Sequence, residues 1–60
     1  MCEIKVMKEK DGENTEIMNE VMKIQVEGQE IRIIDILGRE TMVSGTIKSI
    51  DLMSNVLQII

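Results

Sequence analysis

Cys2 is the residue of this chain best suited to chemistry, because it is the only cysteine and the chain has no histidine. If the initiator methionine is removed, Cys2 becomes the first residue and carries an α-amino group beside its thiol. Nitrogen and sulfur on adjacent carbons can then close a five-membered chelate ring around a metal ion. Two such arms related by a dimer two-fold axis supply two sulfurs and two nitrogens. We therefore expect a metal site shared by two copies of the chain.

The donor atoms at Cys2 leave the identity of that metal open. Planar sites that contain nitrogen favour Ni(II) or Cu(II), tetrahedral sulfur-rich sites favour Zn, and a pair of thiolates also accepts Cu(I). If Met1 is retained, deprotonated backbone amides would replace the amino groups and would again favour Ni(II) or Cu(II). The alternative role for Cys2 is that of a small buried apolar side chain.

Conventional catalysis has few candidate residues, because a serine or cysteine nucleophile without histidine needs a lysine or carboxylate base. Asp35 and Asp51 are the acids embedded in strongly apolar runs. We interpret each as a solvent-facing strand residue or a turn partner, in preference to a catalytic acid of raised pKa. The sequence therefore predicts a protein that is not an enzyme.

Three other groups of residues resemble binding motifs only weakly. The first group consists of acids that lack the loop spacing of a calcium site, so we expect them to form a solvated face. These acids are Glu13, Glu16 and Glu20. The second group consists of three methionines without the tight spacing of thioether ligands, so we expect them to fill the core. These methionines are Met18, Met22 and Met53. The segment 44–46, Ser-Gly-Thr, lacks the glycine spacing and lysine of a phosphate loop, so it predicts a bend between strands.

The charge balance argues against nucleic acid as a partner. The formal net charge is −4, and no aromatic residue is present for a base to stack on. The rival hypothesis is a nucleic-acid module with a local phosphate patch, formed by Lys5, Lys8, Lys10 and Lys23. A third is an interaction module whose thiol has only a packing or redox role. No apolar run approaches the roughly 18 residues of a membrane span, and a lone thiol without a signal peptide predicts the reducing cytoplasm.

Sixty residues predict one domain, 1–60, with a marginal core that a second copy can complete. A single cysteine excludes an intrachain disulfide, so metal binding and self-association remain as sources of stability. The apolar residues include eleven isoleucines and five valines, whose branched β-carbons favour strands.

The hydrophobic pattern predicts five or six short strands separated by turns. We expect strands over 2–8, 21–26, 30–36, 40–44, 46–52 and 56–60, with a short strand or turn at 16–18. A helix over 15–22 is the alternative for the ambiguous segment. The adjacent apolar pair Ile33-Ile34 suggests a bend or a strand buried on both faces, and the apolar end "VLQII" suggests a segment that pairs or docks. Regular short strands predict an all-β, closed or partly closed antiparallel barrel.

The residues also resemble a known family. "MCEIKV" at the start, "DG" after the first strand, "NEVMKIQVEG" in the middle and "GTIKSIDLMSNVLQII" at the end are similar to the CooT family of small nickel-binding proteins. The resemblance covers nearly the whole chain, and its most specific element is a cysteine at position 2 followed by an alternating apolar strand.

Membership would imply a homodimer of Sm-like or SH3-like β-barrels that binds one Ni(II) through two Cys2 thiolates. It would also imply an accessory role in nickel insertion into carbon monoxide dehydrogenase, with that enzyme or its other maturation factors as partners. Some relatives are described as RNA-binding because of the Sm-like fold, and that function is the alternative implied by the resemblance.

Overall fold

Six strands make up 72% of residues 3–60, the part of the chain that the computed structural model describes. The strands are β1 (Ile4–Lys10), β2 (Glu13–Glu27), β3 (Glu30–Asp35), β4 (Glu40–Ser44), β5 (Ile47–Asp51) and β6 (Val56–Ile59). The predicted all-β class and the number of strands are confirmed. Cys2, where we expected the first strand to begin, lies outside the described residues.

The long strand β2 is shared between two parts of the sheet. Residues 13–18 pair with β1, residues 23–27 pair with β3, and Val21 lies opposite both Ile4 of β1 and Asp35 of β3. Both registers shift near this junction, and Glu20 has a φ of +53°. Bulges of this kind bend a strand and increase its twist. The two segments expected at 16–18 and 21–26 therefore form one bent strand, and the helical alternative over 15–22 is wrong.

The strand order is β4-β3-β2-β1-β6-β5, and the sheet is not closed into a barrel. Within residues 3–60, no ladder joins the outer strands β4 and β5. β1 and β6 are parallel, with Val6 opposite Leu57, whereas the other four ladders of the described chain are antiparallel. The all-antiparallel expectation fails at this pair because tight turns fix only the direction of consecutive strands, and β1 and β6 are not consecutive. The Sm-like barrel and the homodimer remain predictions.

The core lies between the two parts of the bent sheet. Its buried apolar residues are Val6, Val21, Ile31, Ile33, Leu57 and Ile59. Two of them belong to β6, so the expectation that the apolar end of the chain pairs with other strands is confirmed. β-branched side chains supply most of this core, which agrees with their preference for a pleated surface.

β3 alternates without interruption, so the bend suggested at Ile33-Ile34 is wrong, and the alternative of a strand covered on both faces is the one that agrees with the structure. Ile31, Ile33 and Asp35 are buried, while Arg32 and Ile34 lie on the other face and are half-buried. The inward positions are thus occupied by two isoleucines and then by an acid. An acid at an inward position requires hydrogen-bond partners, because burying an unpaired charge is unfavourable.

The predicted bend at 44–46 is present, and Gly45 is the residue that permits it. Gly45 has a φ of +145°, and a β-carbon there would lie 2.5 Å from the Ile60 carbonyl oxygen and 2.8 Å from Ile59 Cγ2. The close approach lets Thr46 and Ile60 exchange two backbone hydrogen bonds, of 3.0 and 2.9 Å. The bend at Gly45 therefore lets Ile60 pair with Thr46, the residue that precedes β5.

Candidate functional site

The candidate metal ligand, Cys2, lies outside the described residues, but the strand that follows it is well defined. Glu3 is exposed and leads into β1, where Ile4 is opposite Val21 of β2. Consecutive α-carbons are about 3.8 Å apart, so Cys2 is joined to β1 through a single intervening residue. β1 is an inner strand with β2 on one side and β6 on the other. The chain following Cys2 is thus anchored on both sides.

Two carboxyl groups meet beside this end of β1. The Glu3 side chain makes a hydrogen bond with the Glu20 carboxyl, and this contact together with the charge of Glu3 raises the pKa of Glu20. Partial burial and the charge of Asp35 act in the same direction, whereas Arg39 opposes them. Neighbouring carboxyls retain a proton more readily because two like charges repel. Two acids therefore lie together at the start of β1.

Sequence reasoning did not find the contact between Glu3 and Glu20. The two residues belong to different elements, and they meet through a ladder whose register shifts between Ile4 and Val6. A bulge cannot be located from alternation alone, because it moves a side chain to the other face without a fixed sequence signature. The only available signal was that Glu3 adjoins the single cysteine.

Asp35 is a buried turn partner, with an exposed fraction of 2%. Its Oδ1 accepts hydrogen bonds of 2.9 Å from the backbone N–H groups of Leu37 and Arg39, and its Oδ2 lies 2.7 Å from Arg39 Nε. Burial raises the pKa of Asp35, but the hydrogen bonds and the Arg39 charge outweigh it, so the pKa lies below its ordinary value. The turn interpretation is therefore confirmed, and the solvent-facing and raised-pKa alternatives are wrong.

Asp51 performs the same task at an exposed turn between β5 and β6. Its Oδ1 accepts hydrogen bonds from the backbone N–H groups of Met53 and Ser54, at 2.9 and 3.1 Å. These bonds lower the pKa of Asp51. The turn-partner interpretation is thus confirmed for this acid too, and neither aspartate has the raised pKa of a general acid.

The acidic and methionine groups differ in how well they match expectation. The three glutamates of β2 are exposed, as predicted for a solvated face: Glu13, Glu16 and Glu20. Met18 packs partly against the core, but Met22 is 62% exposed and Met53 is 94% exposed. Core filler is therefore wrong for Met22 and Met53, because Met22 directly follows the buried Val21 in β2 and Met53 lies in a turn.

Two of the four lysines proposed as a phosphate patch already have partners. Lys5 Nζ lies 3.6 Å from Glu16 Oε1, and Lys8 Nζ donates a hydrogen bond to the Ser44 carbonyl. Lys8 is also half-buried, so its ammonium is directed to the bend at Gly45 instead of to solvent. This arrangement gives no support to a phosphate-binding surface.

The described residues do not by themselves form a metal centre. Within residues 3–60, no group of three histidine, cysteine, aspartate or glutamate side chains is arranged to hold a metal ion. The same part of the chain contains no helix long and apolar enough to cross a bilayer. The candidate site therefore rests on Cys2 alone, and Glu3, which follows it in the sequence, contacts Glu20.

The comparisons with known proteins agree with the resemblance noted in the sequence. A family model described as CooT, CO dehydrogenase accessory protein, matches residues 1–60, which is the whole chain. No curated protein matches the chain. The family model spans Cys2, the bent strand β2 and the final strand β6 alike. The chain belongs to the CooT family of CO dehydrogenase accessory proteins.

Proposed function

We propose that this protein is a cytoplasmic nickel-binding accessory protein for carbon monoxide dehydrogenase. Two copies of the chain hold one Ni(II) through their Cys2 thiolates and support its insertion into the enzyme. The observation that carries the proposal is the family match over residues 1–60 in a chain whose only thiol is Cys2. Nickel is the cargo here, and the protein itself performs no catalytic step.

The chemistry of the donors supports nickel as that cargo. A thiolate with an adjacent amine or deprotonated amide nitrogen provides the mixed sulfur and nitrogen set that suits planar Ni(II). One chain supplies at most one thiolate, so a pair of thiolates requires a second copy. The carboxyls of Glu3 and Glu20 add negative charge at the start of β1, and such charge attracts a cation at long range.

The surface supports self-association as the way to bring the thiolates together. Several large apolar side chains of the described chain are at least half exposed, among them Met22, Val26 and Leu52. A second copy of the chain could cover such side chains, and contiguous apolar patches are typical of interaction sites. The inner position of β1 would give each Cys2 a firm support in such a dimer.

Nickel titration of the reduced protein tests the proposal directly. We expect one Ni(II) per two chains for the natural protein and loss of this binding in Cys2→Ser. A matched control moves the thiol to an exposed position of β5, in Cys2→Ser with Ser49→Cys, and should not restore binding. Equal affinity in Cys2→Ser, or saturation at one metal per monomer without a dimer, would contradict it.

The client enzyme needs a separate experiment. Nickel-loaded protein should activate nickel-free carbon monoxide dehydrogenase faster than the same concentration of free Ni(II), and Cys2→Ser should give no acceleration. If the natural protein binds nickel but does not accelerate activation, the metal site stands and the delivery role is wrong.

A further inference from the structure

The first half of β2 has a free edge. Residues 13–18 pair with β1 on one side, and no strand of the described chain pairs with them on the other. In an antiparallel pair, alternate residues direct their backbone N–H and C=O groups away from the partner strand. The outward groups of this segment can therefore pair with an added strand.

A groove of about 500 Å³ lies along this free edge. Residues 16–19 of β2 form one wall, and Asp35 with residues 39–41 forms the other. Ile17 and Met18 are half-buried and pack against the core, whereas Asn19 and Thr41 offer polar groups. The volume is within the range of about 300–1,000 Å³ typical of ligand pockets. The opposite wall distinguishes this edge from a strand edge that simply faces solvent.

The groove favours a positively charged occupant. Its lining contains three acids and one base, and the base, Arg39, is held by Asp35 at 2.7 Å. The other two acids, Glu16 and Glu40, contact Lys5 and Arg32, each at 3.6 Å. Exposed ion pairs contribute little, so an incoming cation can replace these contacts at small cost.

We propose that this groove binds an extended basic segment of a partner protein by β-strand addition. The backbone of the segment pairs with residues 16–19 of β2, and a lysine or arginine side chain contacts Glu16 or Glu40. Main-chain hydrogen bonds supply affinity in this mode of recognition, and the side chains supply specificity. The inference does not depend on nickel binding.

A blocked heptapeptide of alternating lysine and valine is the probe. In a titration followed by nuclear magnetic resonance, we expect amide shifts centred on residues 16–19 and 39–41. The counterpart with glutamate in place of lysine should bind at least tenfold more weakly. Shifts centred on the outer edges of β4 and β5, or equal binding of the glutamate peptide, would overturn the inference.

Backbone methylation separates strand addition from simple charge attraction. Alternate amides of an extended strand point to one side, so only one alternate set pairs with β2. Two versions of the probe, N-methylated on odd or on even residues, should therefore differ at least tenfold in affinity. Equal binding of both versions would show that the backbone is not paired and would overturn the inference.

Matched variants locate the charge effect. The double variant Glu16→Gln with Glu40→Gln should weaken binding of the lysine probe at least tenfold. The control, Glu9→Gln with Glu13→Gln, also removes two acidic charges, but neither residue lines the groove or contacts the ion-pair partners of Glu16 and Glu40. It should leave the affinity within twofold. An equal loss in both double variants would contradict binding in the groove.

Discussion

Asp35 Oδ2 lies 2.7 Å from Arg39 Nε, and this contact fixes the turn that follows β3. The same carboxylate accepts two backbone N–H groups from that turn, so a single buried acid organises residues 36–39. Arg39 is largely exposed while Asp35 is not, which makes the arginine a cover over a buried anion. The inward position of Asp35 is thus occupied by a turn-forming group and not by a reactive acid.

The first prediction concerns this carboxylate. Asp35→Asn keeps an oxygen for the two backbone donors but loses the charge that faces Arg39, so it should lower the melting temperature. Asp51→Asn is the control, because Asp51 also closes a turn but is exposed and has no arginine partner. Thermal unfolding at pH 7 should show the larger loss in Asp35→Asn. Equal losses would mean that the Arg39 contact adds nothing to the turn.

Acid should reduce the difference between Asp35→Asn and the natural protein. The pKa of Asp35 in the folded protein lies below its ordinary value of 3.8, so folding favours the carboxylate. The resulting stabilisation is present above pH 3.8 and is lost as the pH falls through the folded pKa. Denaturant unfolding between pH 7 and pH 2 should therefore give curves that converge at the acid end.

The second prediction concerns the carboxyl pair next to position 2. The pKa of Glu20 is raised above its ordinary value of 4.5, so its ionised form opposes folding once the pH exceeds the folded pKa. Glu20→Gln cannot ionise and should raise the melting temperature at pH 7, with the gain disappearing below pH 4.5.

The control for Glu20 is Glu16→Gln on the same strand. The Glu16 carboxylate lies 3.6 Å from Lys5 and has an attractive partner. Its removal should leave the melting temperature unchanged or slightly lower at pH 7. A gain in Glu16→Gln equal to that in Glu20→Gln would attribute the effect to net charge and not to the contact with Glu3.

The third prediction compares two glycines with positive φ. Gly28 has a φ of +65°, and a β-carbon added there would meet no atom within 4 Å. Gly28→Ala should therefore lower the free energy of unfolding by only about 1–2 kcal/mol, the cost of a left-handed backbone. Gly45→Ala would also force its methyl group against Ile59 and Ile60, which adds roughly 1–3 kcal/mol of overpacking. Urea unfolding measures both losses. A smaller loss of unfolding free energy in Gly45→Ala than in Gly28→Ala would show that the bend can widen to accept a methyl group.

The fourth prediction concerns nickel affinity and pH. Thiols have an ordinary pKa of about 8.5 and must lose a proton to bind a metal. If two Cys2 thiolates bind one Ni(II), affinity should fall by roughly a hundredfold for each unit of pH below that value, because two protons compete with the metal. Calorimetric titrations at pH 8, 7 and 6 measure this slope. A flat profile would mean that thiolates are not the ligands.

Local signals located several strands well. β4 was expected at 40–44 and spans Glu40–Ser44, because glycines bracket it and its side chains alternate. The Asp11-Gly12 turn also separates β1 from β2, since both residues have positive φ. Turns of this kind depend on one or two residues, and their sequence signature is correspondingly strong.

Long-range pairing could not be obtained in the same way. Nothing in the sequence near Val6 or Leu57 shows that they are parallel neighbours, and the bulge at Glu20 has no composition of its own. The inward position of Asp35 was missed for a related reason, because its partners come from a turn whose shape the acid itself creates. Contacts made by tertiary structure override the pattern of a single strand.

The parallel neighbours β1 and β6 are the first and last strands of the described chain. During synthesis β1 can form its hairpin with β2 early, but its second partner exists only once residues 56–59 have been made. Until then Val6 lacks the cover of Leu57, and the hairpin alone is marginally stable in water. Pairing of the first strand with the last has high contact order, which slows folding. The strand that follows the only thiol of the chain therefore gains its second neighbour, β6, only after residues 56–59 have been made.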